Sequence, residues 1–246
     1  MQTEEHIAAV DEQGLALLEA ARAAGLDAPV PNCPQWMVRE LVAHTGKVHR
    51  WAATHVREGE AAIVGGKHPP MSTVPADGLL EWYAEGHAAL VAALTEAPDD
   101  RPGWTFIPGL PLRAFWARRQ AHETAIHRAD ADSARGVVPA YPPDLAADGI
   151  DELLAGLFAR NGGALHADPP VSFAVTPTDS DTSWRMDIRA DSRKTTSPAE
   201  GPTDCTLSGT AGDLYLLLWN RTPATDPTID GDPTVLDLWR REARVG

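Results

Sequence analysis

The sequence predicts an α+β protein, with an antiparallel four-helix bundle in residues 1–140 followed by a small mixed α+β domain in residues 141–246. Three observations predict it. The first 135 residues alternate segments of helical period with Pro/Gly breaks. The composition then changes near residue 136, where GVVPAYPPD reads as a linker. Beyond it, short stretches of apolar–polar alternation mix with helical ones, as in a small α+β domain. At 246 residues, 43% of them hydrophobic and 23% charged, the chain can fill one large core or two small ones.

The elements follow in order. Residues 4–25 carry Ile7, Val10, Leu15, Leu17 and Leu18 at loosely helical spacing and stop at Gly25, before the Pro-rich turn DAPVPNCP. Residues 36–58 have the clearest period. Met37, Leu41, His44, Val48, Trp51 and His55 are spaced 4, 3, 4, 3, 4, which lays one stripe along a helix face expected to point into a core. Residues 76–96 repeat the pattern with Leu80, Tyr83, His87, Val91 and Leu94, and residues 112–132 form a fourth helix after APDDRPGWTFIPGLP. A fifth helix is expected over 144–160. VSFAVTP and SWRMDIRA then read as a hairpin around TDSDT, DCTLSGT as a third strand, and AGDLYLLLWN and PTVLDLWRR as closing helices.

The charge balance excludes some partners. A net charge of −14 and a pI near 4.9 argue against nucleic acid and anionic membranes, which are read with clustered Lys and Arg. No stretch approaches the roughly 20 apolar residues of a membrane span, and MQTEEHIAAVDEQ is acidic where a signal peptide is basic. A cytoplasmic protein is expected. Cys33 and Cys205 stand far apart in no metal or redox spacing, so no disulfide framework is indicated.

The chemistry concentrates in RRQAHETAIHRADAD, residues 118–132. It looks like the zinc-protease pattern H-E-x-x-H with one residue too many. Positions i and i+5 on a helix differ by roughly 140°, so His122 and His127 cannot easily grip one ion, whereas i and i+4 differ by about 40°, so Glu123 and His127 can. A carboxylate and an imidazole one turn apart make a two-point metal clip, with a third ligand to come from a facing helix. His44 is central in its stripe, His55 is near its helix end, and His87 is the main rival. Such an i,i+4 pair alone is also the spacing of an ordinary surface ion pair, and Trp116 behind it adds to the case for a site. Two His and one carboxylate leave open coordination positions, which is the catalytic pattern for zinc and is shared with non-haem Fe(II).

Taken in order, CPQWMVRELVAHTGKVHRW (33–51), ARRQAHETAIHRADAD (117–132) and LSGTAGDLYLLLWNR (207–221) resemble the mycothiol-dependent maleylpyruvate isomerase family, whose N-terminal domain has a DinB-like four-helix fold. The resemblance spans both halves. It implies that His44 from LVAHT, and Glu123 and His127 from HETAIH, bind a divalent metal, usually zinc, and that His122 is not a ligand. It further implies mycothiol as thiol cosubstrate, its thiolate adding to an electrophilic small molecule such as a carboxylic acid. In the isomerase the addition permits rotation about a double bond before the thiol leaves, while relatives with the same helical domain keep the adduct as thiol S-transferases. Arg221 stands where the family has a substrate-related arginine and would pair with a substrate carboxylate. The competing reading is an Arg bound to the carbonyls ending its own helix. Cys33 lies in the CPxW turn, where packing explains it better than nucleophilic chemistry. A noncatalytic metal- or small-molecule-binding module and a non-haem iron oxygenase remain open beside the enzyme.

Overall fold

The computed structural model describes residues 1–159 and 164–244, and the chain divides into two compact units, Met1–Pro139 and Ala140–Gly246. The first unit is four helices, α1 (Thr3–Ala24), α2 (Val38–Glu58), α3 (Leu79–Glu96) and α4 (Leu112–Ser133), with a single 3-10 turn, Gly59–Ala62, after α2. α1 packs most extensively on α4 and α2 on α3, while α1 also meets α3 and α2 meets α4. That pattern is a four-helix bundle.

Local chemistry sets the helix ends. Glu5 and Glu40, each three residues past the N-cap, accept the backbone N–H of Gln2 and Met37 at 2.6 and 2.9 Å, which satisfies one orphan donor at each start. α1 ends at Gly25, which has a positive φ of 85°. Within the bundle, Leu17, Leu18 and Ala21 of α1 pack with Val38, Leu41 and Val42 of α2 and Tyr83 of α3 in one buried cluster. Each fully buried Leu or Val there contributes about 1.5–3 kcal/mol relative to exposure. Gly14 permits a close approach of two helices in this unit. A Cβ at that position would stand 2.3 Å from the ring of His87, so α1 and α3 meet there only because residue 14 has no side chain.

The face of α2 that enters the core differs from the stripe expected from sequence. Val38, Leu41, Val42, Thr45, His49, Ala52, Ala53 and Val56 are buried, whereas Met37 is exposed and His44, Val48 and Trp51 are half-buried. The stripe runs along the margin of the buried face. This leaves His44 in reach of solvent and puts His49 inside together with His55.

The second unit opens with α5 (Pro143–Asp151), which passes directly into a π-helical turn, Glu152–Leu157. Arg160, expected to end this helix, lies outside the described residues. A five-stranded mixed sheet follows: β1 (Val171–Pro177), β2 (Trp184–Ile188), β3 (Arg193–Thr196), β4 (Cys205–Gly209) and β5 (Thr228–Gly231), in the order β3-β2-β1-β4-β5. β1 and β2 form the expected antiparallel hairpin, with Phe173 opposite Met186, and β1 pairs with β4 in parallel. Two further helices, α6 (Ala211–Leu218) and α7 (Thr234–Glu242), complete the unit. Thr210 caps α6 by accepting the N–H of Asp213, and Trp239 of α7 packs its ring 5.3 Å from that of Phe173. No helix among the described residues is long and apolar enough to cross a membrane.

Candidate metal centre

Three side chains from two helices of the bundle converge. His44 comes from α2, and Glu123 and His127 come from successive turns of α4. One carboxylate oxygen, Glu123 Oε1, faces both imidazoles, 3.4 Å from His44 Nε2 and 3.3 Å from His127 Nε2. The three donor atoms lie within 4.8 Å of one another. The other two histidines weighed from sequence sit elsewhere. His87 Nε2 meets the Val10 carbonyl at 3.2 Å, and His55 is fully buried, stacked on Trp116 at 5.4 Å with both ring nitrogens unpartnered among the described residues. His122 is fully buried with its ring 6.0 Å from that of His6 on α1.

The surroundings of the trio are built by residues that the sequence reading did not use. Asp130, fully buried one turn beyond His127, stands with Oδ2 2.9 Å from His127 Nδ1. Arg119, one turn before Glu123, donates to the other carboxylate oxygen, Oε2, at 3.3 Å. Both follow the i,i+3 and i,i+4 spacing that puts side chains on one helix face, and this spacing was the available signal. The turn before α2 supplies two more groups. Trp36 places its ring 5.0 Å from His44 and 6.0 Å from His127, and the Cys33 thiol lies 3.6 Å from Asp130 Oδ2. The side chains of His44, Glu123 and His127 are 39%, 20% and 11% exposed, so His44 marks the open side.

Burial and hydrogen bonding act in opposite directions on the charged groups of the trio. Burial pushes the Glu123 carboxyl up, but hydrogen bonds from His127 and His44 and the nearby positive charges outweigh it and hold the group well below the usual carboxylate range. Burial pushes His127 down, and its bonds to Asp130 and Glu123 overcome this and raise it to about 9. By contrast, His49, whose Nε2 meets Thr124 Oγ1 at 2.9 Å, is lowered by burial and by His87 to about 3. Its Nδ1 has no partner among the described residues. Burial and the nearby His68 lower His55 to about 4.

The donor set fits a divalent ion. Ligands about 2.0–2.1 Å from a tetrahedral ion stand about 3.3 Å from one another, close to the 3.3 and 3.4 Å found here. Two imidazoles and one carboxylate would leave a coordination position of such an ion open.

Arg221 lies in the second unit, just past α6, where its guanidinium donates to the carbonyl of the C-cap residue Trp219 at 2.7 Å.

Fold and site together define a class: a helical bundle with a convergent His–Glu–His donor set, followed by a mixed α+β unit. Within that class the family is specific. Residues 7–132 match the mycothiol maleylpyruvate isomerase N-terminal domain and residues 144–238 the C-terminal domain of the same proteins. The chain belongs to the mycothiol maleylpyruvate isomerase family. It is similar in fold to a crystal structure of the mycothiol-dependent maleylpyruvate isomerase, at a TM-score of 0.58 and 15% identity over 94% of this chain and 93% of that one. A histidine-to-alanine variant of the isomerase is similar at a TM-score of 0.59 and 14% identity, with the same coverage of both chains. No curated protein matches the chain in sequence.

Proposed function

We propose that this chain is a metal- and mycothiol-dependent enzyme that adds the mycothiol thiolate to an electrophilic small molecule, either as a cis–trans isomerase or as a thiol S-transferase. The observation that carries the reading is the convergence of His44, Glu123 and His127 within 4.8 Å in a chain of this family. These three residues would hold a divalent ion, zinc foremost. When bound, the ion supplies Lewis acidity that lowers the pKa of a coordinated thiol, so that thiolate is present at neutral pH.

The chain's own residues do the rest. Glu123 offers one oxygen to the centre while Arg119 holds the other, which fixes the carboxylate plane and offsets its charge. The half-exposed His44 leaves a side open to a thiol, and Trp36 walls the centre beside both imidazoles. Arg221 is the group proposed to pair with a substrate carboxylate through its planar fork, which suits an electrophilic acid such as maleylpyruvate.

The test incubates zinc-loaded protein with mycothiol and a panel of electrophilic acids, maleylpyruvate included, and follows isomer and S-conjugate by mass-resolved chromatography. Either product, dependent on both zinc and mycothiol, supports the reading and identifies the branch. Neither product from any acid overturns it and leaves a binding module.

A further inference from the structure

We infer that Asp130 is a positioning residue of the centre, acting through His127 by fixing which ring nitrogen faces the metal. The inference rests on the metal reading above and extends it to a residue outside the ligand trio. Asp130 Oδ2 lies 2.9 Å from His127 Nδ1, while Nε2 of the same ring lies 3.3 Å from Glu123 Oε1. The two ring nitrogens are therefore committed to different tasks. With a metal held at the centre the His127 imidazole would be neutral and carry one proton, and a carboxylate against Nδ1 would keep that proton at Nδ1, leaving the Nε2 lone pair for the metal on the side of Glu123 and His44. A ligating histidine held this way is oriented and made more basic.

Burial enforces the arrangement. Asp130 is fully shielded from solvent and His127 nearly so. Turning the ring over would take the Nδ1–H away from a buried carboxylate, which costs far more than the same loss at the surface. The Cys33 thiol, 3.6 Å from the same Oδ2, is too weak a donor to stand in for the imidazole. His44 differs: among the described residues its one polar contact is the 3.4 Å approach to Glu123. His127 is thus the fixed imidazole of the centre and His44 the adjustable one, and the fixing is due to Asp130.

The experiment measures zinc affinity of the full chain by competition with a chromophoric chelator, for wild type, Asp130→Ala and Asp130→Asn. The expected result is an affinity about ten- to hundredfold weaker in Asp130→Ala, with a smaller loss in Asp130→Asn, which keeps an acceptor oxygen but not the charge. Proton–nitrogen correlation spectra of the histidine rings give a second readout that a merely structural role would not move. Zinc-loaded wild type should show a slowly exchanging Nδ1 proton on His127, and Asp130→Ala should lose it. Zinc affinity in folded Asp130→Ala within about twofold of wild type overturns the inference, and if that variant does not fold, Asp130→Asn decides by the same criterion. Wild type that takes up no zinc overturns the metal reading itself, together with this inference, and so is told apart from a failure of Asp130 alone.

Discussion

Acid should destabilise this fold through His49 in a way that one substitution removes. The imidazole is fully buried, with Nε2 on Thr124 and Nδ1 without a partner among the described residues, and its pKa falls from 6.5 to about 3. The folded state therefore keeps His49 neutral at a pH where the unfolded chain protonates it. The unfolded state binds more protons throughout the window from 6.5 down to 3, so stability falls as pH falls across it. Each pH unit below 6.5 costs about 1.4 kcal/mol, and lowering the pH to about 5 costs about 2 kcal/mol from this residue alone. His49→Gln retains a hydrogen-bonding partner for Thr124 and removes the titration. Urea unfolding followed by far-UV circular dichroism, at about pH 7.5 and about pH 5 with chelator present, should show wild type losing about 2 kcal/mol more than the variant. Titrations common to both proteins, including those of His55 and His87, cancel in this comparison. A difference below about 0.5 kcal/mol would mean that His49 is protonated or hydrated in the folded state, and would refute the reasoning.

Two further outcomes are expected. Gly14→Ala brings a methyl to 2.3 Å from the His87 ring; the overpacking cost of about 1–3 kcal/mol exceeds the gain in helix propensity of about 1 kcal/mol, so the thermal midpoint should drop, and an unchanged or higher midpoint contradicts the close approach of α1 and α3. Arg221→Gln should raise KM for a carboxylate substrate about tenfold or more, since a charge-assisted bond contributes about 1.5–3 kcal/mol, while leaving zinc content unchanged; a lower thermal midpoint with an unaltered KM would assign Arg221 to the end of α6 and not to substrate.

Strong periodicity was legible at the level of sequence, and weak periodicity was not. The four long helices and the β1–β2 hairpin follow from patterns that burial itself imposes. β3 (RKTT) and β5 (TIDG) escape such a reading because they are short, polar edge strands whose residues are half-buried or exposed, so no apolar alternation marks them. On α2 the 4-3-4 spacing found a helix but set its inward face one position off. Leu41 and Val42 are both buried, and a face that wide admits more than one phase. That offset matters at the site, since it leaves His44 half-exposed and puts His49 inside. Glu123 and His127 were legible because i,i+4 geometry excludes His122. Asp130 and Arg119 have the same kind of spacing, but their importance depends on burial, which the charged stretch RRQAHETAIHRADAD does not reveal.

The most direct test of the account is metal content. Chain purified in chelator, reloaded with zinc and desalted should carry about one ion, and His44→Ala, Glu123→Gln and His127→Ala should each carry little or none while retaining the helical circular dichroism of wild type. Wild type that holds no zinc after loading, or ligand variants that each still hold a full ion, would contradict the assignment of His44, Glu123 and His127 as a metal centre.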